Sequence, residues 1–177
     1  MGEMEESAIK IFSKNQAKEI AAKICAKPSR ELDILFANGS MPSFKELQGD
    51  TYGSWPGREK YTWWARVFIW FALDSVWARW DGKRFVEPWD SGKRGKGVNV
   101  FRNILRPYRH SFATYEKQAF ADTRPAIALE YPFGSLMWGM IDDVRKIEPG
   151  IFLGQVWFRF PLQKKYAYMG YFLLCKI

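Results

Sequence analysis

The sequence predicts a mainly β protein with N-terminal helices, its strands closing into an antiparallel β-barrel. Three observations predict it. Apolar residues alternate with period two in several short runs after residue 120. Turn dipeptides separate those runs, with no regular helical crossovers between them. A tryptophan framed by glycines, Gly53-Ser54-Trp55-Pro56-Gly57, precedes this body, and 18% of the chain is aromatic. Glycine allows close backbone approach and the indole supplies bulk, which is what sealing one end of a closed sheet requires.

The N-terminal arm, residues 1–40, reads as helical. Over 7–26, Ile9, Phe12, Ile20 and Ile24 fall near one face with Ala8, Ala17 and Ala21 between them and lysines opposite. Ser7 is placed to cap the start, and Lys23 and Lys27 suit the end before Pro28. Ser29 can cap a shorter helix through Phe36, closed by Asn38-Gly39. Ser43-Phe44-Lys45-Glu46 has the spacing of a capping box for one more turn.

Residues 41–177 form the barrel domain. Between Tyr61 and Trp80, rings recur at three- and four-residue spacing, which favours a helix, while Val67-Phe68-Ile69-Trp70-Phe71 equally suits a buried strand. From Ile127 the period is two: Ile127, Leu129 and Tyr131 share a face. Phe152, Val156, Phe158 and Phe160 share another, opposite Gln155 and Arg159. Tyr166, Tyr168, Phe172 and Leu174 form the face of a last strand. Arg106-Pro107, Arg124-Pro125, Glu148-Pro149-Gly150 and Phe160-Pro161 mark turns.

Charge and cysteine content narrow the function classes. The net charge is +8 at pH 7. The first fifty residues are nearly balanced, so the excess lies in the barrel region, densest in Lys93-Arg94-Gly95-Lys96, Arg102, Arg106 and Arg109. Such a run attracts phosphates or carboxylates, or forms a solvated loop and strand face. Two distant cysteines, Cys25 and Cys175, make neither a disulfide framework nor a zinc site, and a reduced cytoplasmic compartment is expected. His110 is the only histidine, against a multi-histidine metal centre, and no metal or cofactor is implied. The start is acidic, unlike a signal peptide, and the apolar run Val67–Leu73 is too short for a transmembrane segment.

Four pieces in order carry a family resemblance. They are Gly53–Gly57; Trp80-Asp81-Gly82-Lys83-Arg84-Phe85; Met140-Ile141-Asp142-Asp143-Val144-Arg145-Lys146-Ile147 with Leu153-Gly154; and Tyr171-Phe172-Leu173-Leu174. Across residues 41–177 the chain resembles the small bacterial GxWxG domain family, lipocalin-like in pattern. It departs in having Trp138-Gly139-Met140 where the pattern has a proline, and in its richly aromatic Gly57–Trp80 segment. The resemblance implies a lipocalin-like, calycin-type barrel binding an apolar ligand. It also implies that Trp55 packs across the closed end under an arginine, Arg145 or Arg159, and that Lys83 sits at the rim of the pocket.

The expected partner is therefore a hydrophobic small molecule with a polar or acidic end. Trp55, Trp64, Phe68, Lys83, Tyr131, Trp138 and Phe158 are the ligand-binding candidates, with Trp63 a further wall residue. On a strand Asp143 and Arg145 share one face and Asp142 takes the other. An inward Asp143–Arg145 pair would fix the polar end of the ligand. In the alternative reading, an isomerase, cyclase or lyase using the same cavity, the pair is catalytic and Asp143 moves the proton. A third reading, single-stranded nucleic-acid binding through 93–109, is less favoured because no base-stacking consensus accompanies the charge.

Overall fold

The structure is a computed structural model and describes residues 9–57, 61, 63, 66–67, 70, 79–86, 94–102, 107–160 and 164–177. Three helices precede the sheet: α1 (Lys14–Cys25), α2 (Ser29–Asn38) and α3 (Phe44–Leu47). Eight strands follow: β1 (Gly49–Ser54), β2 (Trp80–Phe85), β3 (Arg94–Phe101), β4 (Tyr108–Gln118), β5 (Pro125–Glu130), β6 (Met140–Glu148), β7 (Ile151–Phe158) and β8 (Ala167–Lys176). Every neighbouring pair is antiparallel and β1 pairs with β8, closing the barrel in sequence order. The mainly β, lipocalin-like barrel with N-terminal helices is thus the observed architecture. Among the described residues, no helix is long and apolar enough to cross a membrane.

The helix boundaries follow local chemistry. The first helix begins at Lys14 rather than near Ser7, because Ser13 caps it: its hydroxyl accepts from the Gln16 amide while the Gln16 side chain accepts from the Ser13 amide. Just before it, the Phe12 amide donates to the Lys176 carbonyl, tying the chain to β8 instead of to a helix. The capping box at Ser43 and Glu46 forms as the spacing predicts. In α2, Ser29 lies inside the helix and Pro28 occupies the cap. Of the segment 61–80, the described residues Trp63, Arg66 and Val67 are helical.

Two apolar layers result. Inside the barrel, Phe85, Phe112, Leu129, Phe152 and Phe172 belong to one cluster. Outside it, Ala17, Ala21, Ile24, Leu32 and Phe36 of α1 and α2 pack on Ile151, Leu153, Tyr171 and Leu173. β7 and β8 are therefore covered on both faces. The inner rings need room on adjacent strands. A Cβ at Gly53 would lie 2.4 Å from the Trp80 ring, so this motif glycine is the space that Trp80 fills.

Four bulges interrupt the simple alternation, one of them at Ile147 near the end of β6. The other register shifts leave an extra residue at Asp81 on β2, His110 on β4 and Met169 on β8. The last of these corrects the expected face of β8. Phe172 and Leu174 join the interior, but across the bulge Met169 turns in and Tyr168 joins the outer cluster.

Candidate functional site

The inward face of β6 carries Asp142, between the interior residues Met140 and Val144. Opposite it lies Lys83 of β2. The strand would point Lys83 outward if Trp80 and its successors alternated strictly, and the bulge at Asp81 turns it inward. Thr51 stabilises that turn. Its hydroxyl donates to the Lys83 carbonyl (2.8 Å) and accepts from the Lys83 amide (3.1 Å). Gly82 makes it possible: at φ +147° a Cβ there would sit 1.9 Å from the Thr51 carbonyl oxygen.

Around these two residues a polar cluster closes within the aromatic interior. The Lys83 ammonium lies 3.3 Å from Asp142 Oδ2 and donates to Tyr131 Oη (2.6 Å) and Asn99 Oδ1 (3.0 Å). Tyr131 donates to Asp142 Oδ2 at 3.3 Å, and Trp80 Nε1 donates to Asn99 Oδ1 at 3.0 Å. Asn99 Nδ2 donates to the carbonyl of the bulge residue His110 at 3.2 Å. The rings of Phe112, Phe172, Tyr131 and Trp80 surround the ammonium at 4.8, 5.0, 5.3 and 5.9 Å. Such contacts favour a cation, most when it is desolvated.

The electrostatics are set by burial. Lys83 and Asp142 are 3% and 2% exposed. Burial pushes the Asp142 carboxyl up to about 6, although the Lys83 ammonium opposes the rise. Burial pulls the Lys83 amine down, with Asp142 opposing, and pushes the Tyr131 phenol well above its ordinary value. The three Lys83 contacts match the three donors of an ammonium. Asp142 Oδ1, by contrast, is buried without a hydrogen-bond partner. Two other described side-chain atoms share that condition, Gln155 Oε1 and Trp157 Nε1. Gln155 bonds Tyr171 of the outer cluster through its amide nitrogen, and the Trp157 ring packs on Tyr168 of that same cluster.

The expected inward pair of Asp143 and Arg145 is corrected. The pleat separates them from Asp142 as read from the sequence, but they occupy the outer face and bind different partners. Asp143 accepts from Lys117 Nζ (2.6 Å) and from the Phe120 amide (2.8 Å). Arg145 is fully buried under α2, stacked on Phe36 at 4.6 Å. It forms a two-bond fork to Asp122 (2.6 and 2.7 Å) and donates to the carbonyls of Pro125, Phe36 and Arg124. Asp122 is held well below the usual carboxylate range by Arg145.

Other candidates are dispersed. Lys83 and Tyr131 meet in the cluster, although Lys83 lies deep inside and not at a rim. Trp55 is half-buried, packed on Trp80 (4.6 Å) and Phe172 (6.2 Å). The arginine lid expected over Trp55 goes elsewhere, with Arg145 on Phe36 and Arg159 on Tyr166. Phe158 is partly buried against the interior cluster, whereas Trp138 and Trp63 are exposed. Trp64 and Phe68 lie outside the described residues. Sequence reading missed Asp142 and Asn99: a strand face of Met140, Asp142 and Val144 was the available signal for the first, and Asn99 had none.

An open cleft of about 470 Å³ lies beside the cluster. Phe112, Tyr131, Pro132, Phe133 and Trp138 line it with Lys96 and Glu130, so Tyr131 belongs to both the cleft wall and the buried network. The basic stretch is divided: Arg94 and Lys96 lie toward one end of β3, Arg102 just past the other. Among the described residues, no three His, Cys, Asp or Glu side chains form a metal-binding group.

No family model and no curated protein matches the chain. Among solved structures it is similar to a protein from Thermomonospora curvata, with 15% identity and a TM-score of 0.50 over 92% of this chain and 99% of that one. At that identity the likeness concerns the fold, an eight-stranded antiparallel barrel behind short N-terminal helices.

Proposed function

We propose that the protein binds a hydrophobic small molecule that carries a hydrogen-bond donor, such as a hydroxyl, at one end. The carrying observation is Asp142 Oδ1, a carboxylate oxygen buried without a partner among aromatic rings. A buried acceptor left unpaired costs about 1–3 kcal/mol, more when charged, so a ligand hydroxyl that pairs with it gains that much selectivity. Lys83 and Tyr131 hold the other carboxylate oxygen and fix its aim. The cleft along Phe112, Tyr131 and Trp138 suits the apolar body. The order of the GxWxG-type motifs supports the same class of ligand.

Titration with 1-dodecanol and with dodecyl methyl ether, followed by calorimetry, tests the reading. The alcohol should bind at least about tenfold more tightly than the ether, which has no donor. Equal affinities, or no binding of either, would sink it.

One observation favours a second reading, an isomerase, cyclase or lyase on such a ligand. Asp142 is pushed up to about 6, near the value a proton-transfer group needs at neutral pH, and Tyr131 stands beside it. In this reading Asp142 takes the role first given to Asp143. Native mass spectrometry separates the two readings. A carrier and its Asp142→Asn variant retain the same molecule, whereas an enzyme and its variant retain product and substrate respectively.

A further inference from the structure

We propose that one end of the barrel docks on an anionic lipid bilayer. In an antiparallel meander, the β1–β2, β3–β4, β5–β6 and β7–β8 connections all emerge at the same end. The opposite end is covered: α3 and the residues before it place Leu47, Met41 and Phe44 against the interior cluster. Most of the exposed bulky apolar residues among those described lie at the uncovered end. Trp63 and Phe133 are 77% and 84% exposed, and Val67, Trp70, Leu136 and Trp138 are exposed with them.

Among the described residues, charge at that end is mainly positive, with the half-buried Asp81 paired to Arg102 and Lys14. Arg66, Arg79, Arg102, Arg159, Lys164 and Lys165 are exposed there. Among the described residues, the exposed acid at this end is Glu130, which accepts a hydrogen bond from Tyr115. Cations near a membrane are drawn to anionic headgroups, and tryptophan settles at the headgroup level. Valine and leucine among the rings favour acyl chains over nucleic-acid bases, which reward stacking and not aliphatic contact. Phe133 and Trp138 pack edge to face at 5.2 Å and also form the cleft wall. Docking through them brings the cleft mouth to the headgroup layer.

Vesicle flotation tests the surface. Phosphatidylcholine vesicles with about 30% phosphatidylserine should retain at least about tenfold more protein than pure phosphatidylcholine vesicles. Near 1 M salt, where screening acts within about 3 Å, that preference should vanish. The double variant Phe133→Asp, Trp138→Asp should lose retention at least about tenfold with an unchanged melting temperature. Lys164→Glu, Lys165→Glu, on a different connection, should lose the preference for phosphatidylserine without losing the fold. Undiminished retention of both variants, or no retention of wild type on either vesicle, overturns the proposal. So does tight binding of a uridine oligonucleotide without vesicle binding. The surface does not rest on the ligand reading: retention by vesicles without any binding of 1-dodecanol leaves it standing.

Discussion

The two faces of β6 bury opposite charges in opposite ways. Outward, Arg145 uses all its donor directions, on Asp122 and on three backbone carbonyls, under the Phe36 ring. It joins α2 to the β4–β5 turn and to β6, and Asp122 ionises more readily for it. Inward, Asp142 has one oxygen engaged and one bare, and its ionisation is resisted. Full satisfaction marks a brace that holds elements together. Partial satisfaction leaves a group that a ligand can complete.

Breaking the brace gives the largest effect. Arg145→Ala empties a fully buried site, leaves Asp122 to Arg124 alone and takes one donor from each of three carbonyls; removing one partner of a buried pair costs about 3–5 kcal/mol. The melting temperature should fall by roughly 10 °C, while the folded variant keeps its affinity for 1-dodecanol. A fall within error of zero would show that the outer fork is not a brace.

Acidity separates the faces next. Asp142 has its folded value raised from 3.8 to about 6, so its contribution is fully present below about 3.8 and is lost as pH rises through about 6. The shift is worth on the order of 3 kcal/mol. Asp122 has its folded value lowered, so its contribution is present above about 3.8 and is lost as pH falls below that. Urea midpoints against pH should lose the limb between about 4 and 6 in Asp142→Asn, and the acid limb in Asp122→Asn. Identical profiles for the two variants would dissolve the contrast.

A third variant sharpens it. Replacing the inner pair by apolar residues, Lys83→Met with Asp142→Leu, should stabilise the fold by about 1–4 kcal/mol, because desolvation is relieved. The same change should abolish the preference for alcohol over ether. Destabilisation in chemical denaturation would make the inner pair a second brace. Tyr131→Phe is the mildest change: losing the hydroxyl that links Lys83 to Asp142 should cost about 1 kcal/mol and reduce the alcohol preference severalfold.

Much of the fold was legible in the chain. Period-two alternation at Ile127, Leu129 and Tyr131 marked an inner face, and all three lie there. The capping box at Ser43 formed as spaced. The site was half legible. Lys83 and Tyr131 were singled out, and Asp142 was recognised as facing away from Asp143 and Arg145, but the charged pair was assigned to the wrong side. Hydrophobic contrast was missing as a guide, since nearly all of β6 is buried on both faces.

By itself, then, the sequence determined local matters: the capping box at Ser43, the barrel's strand pattern, and which neighbours on β6 share a face. Those follow from short-range sterics and the two-residue pleat. The tertiary structure alone decided which face of β6 points inward, because that depends on α2 covering the outside. It also decided the bulges at Asp81, His110 and Met169, the first of which turns Lys83 toward Asp142. A bulge is set by how two distant strands come into register around bulky rings, and no stretch of either strand holds that information alone.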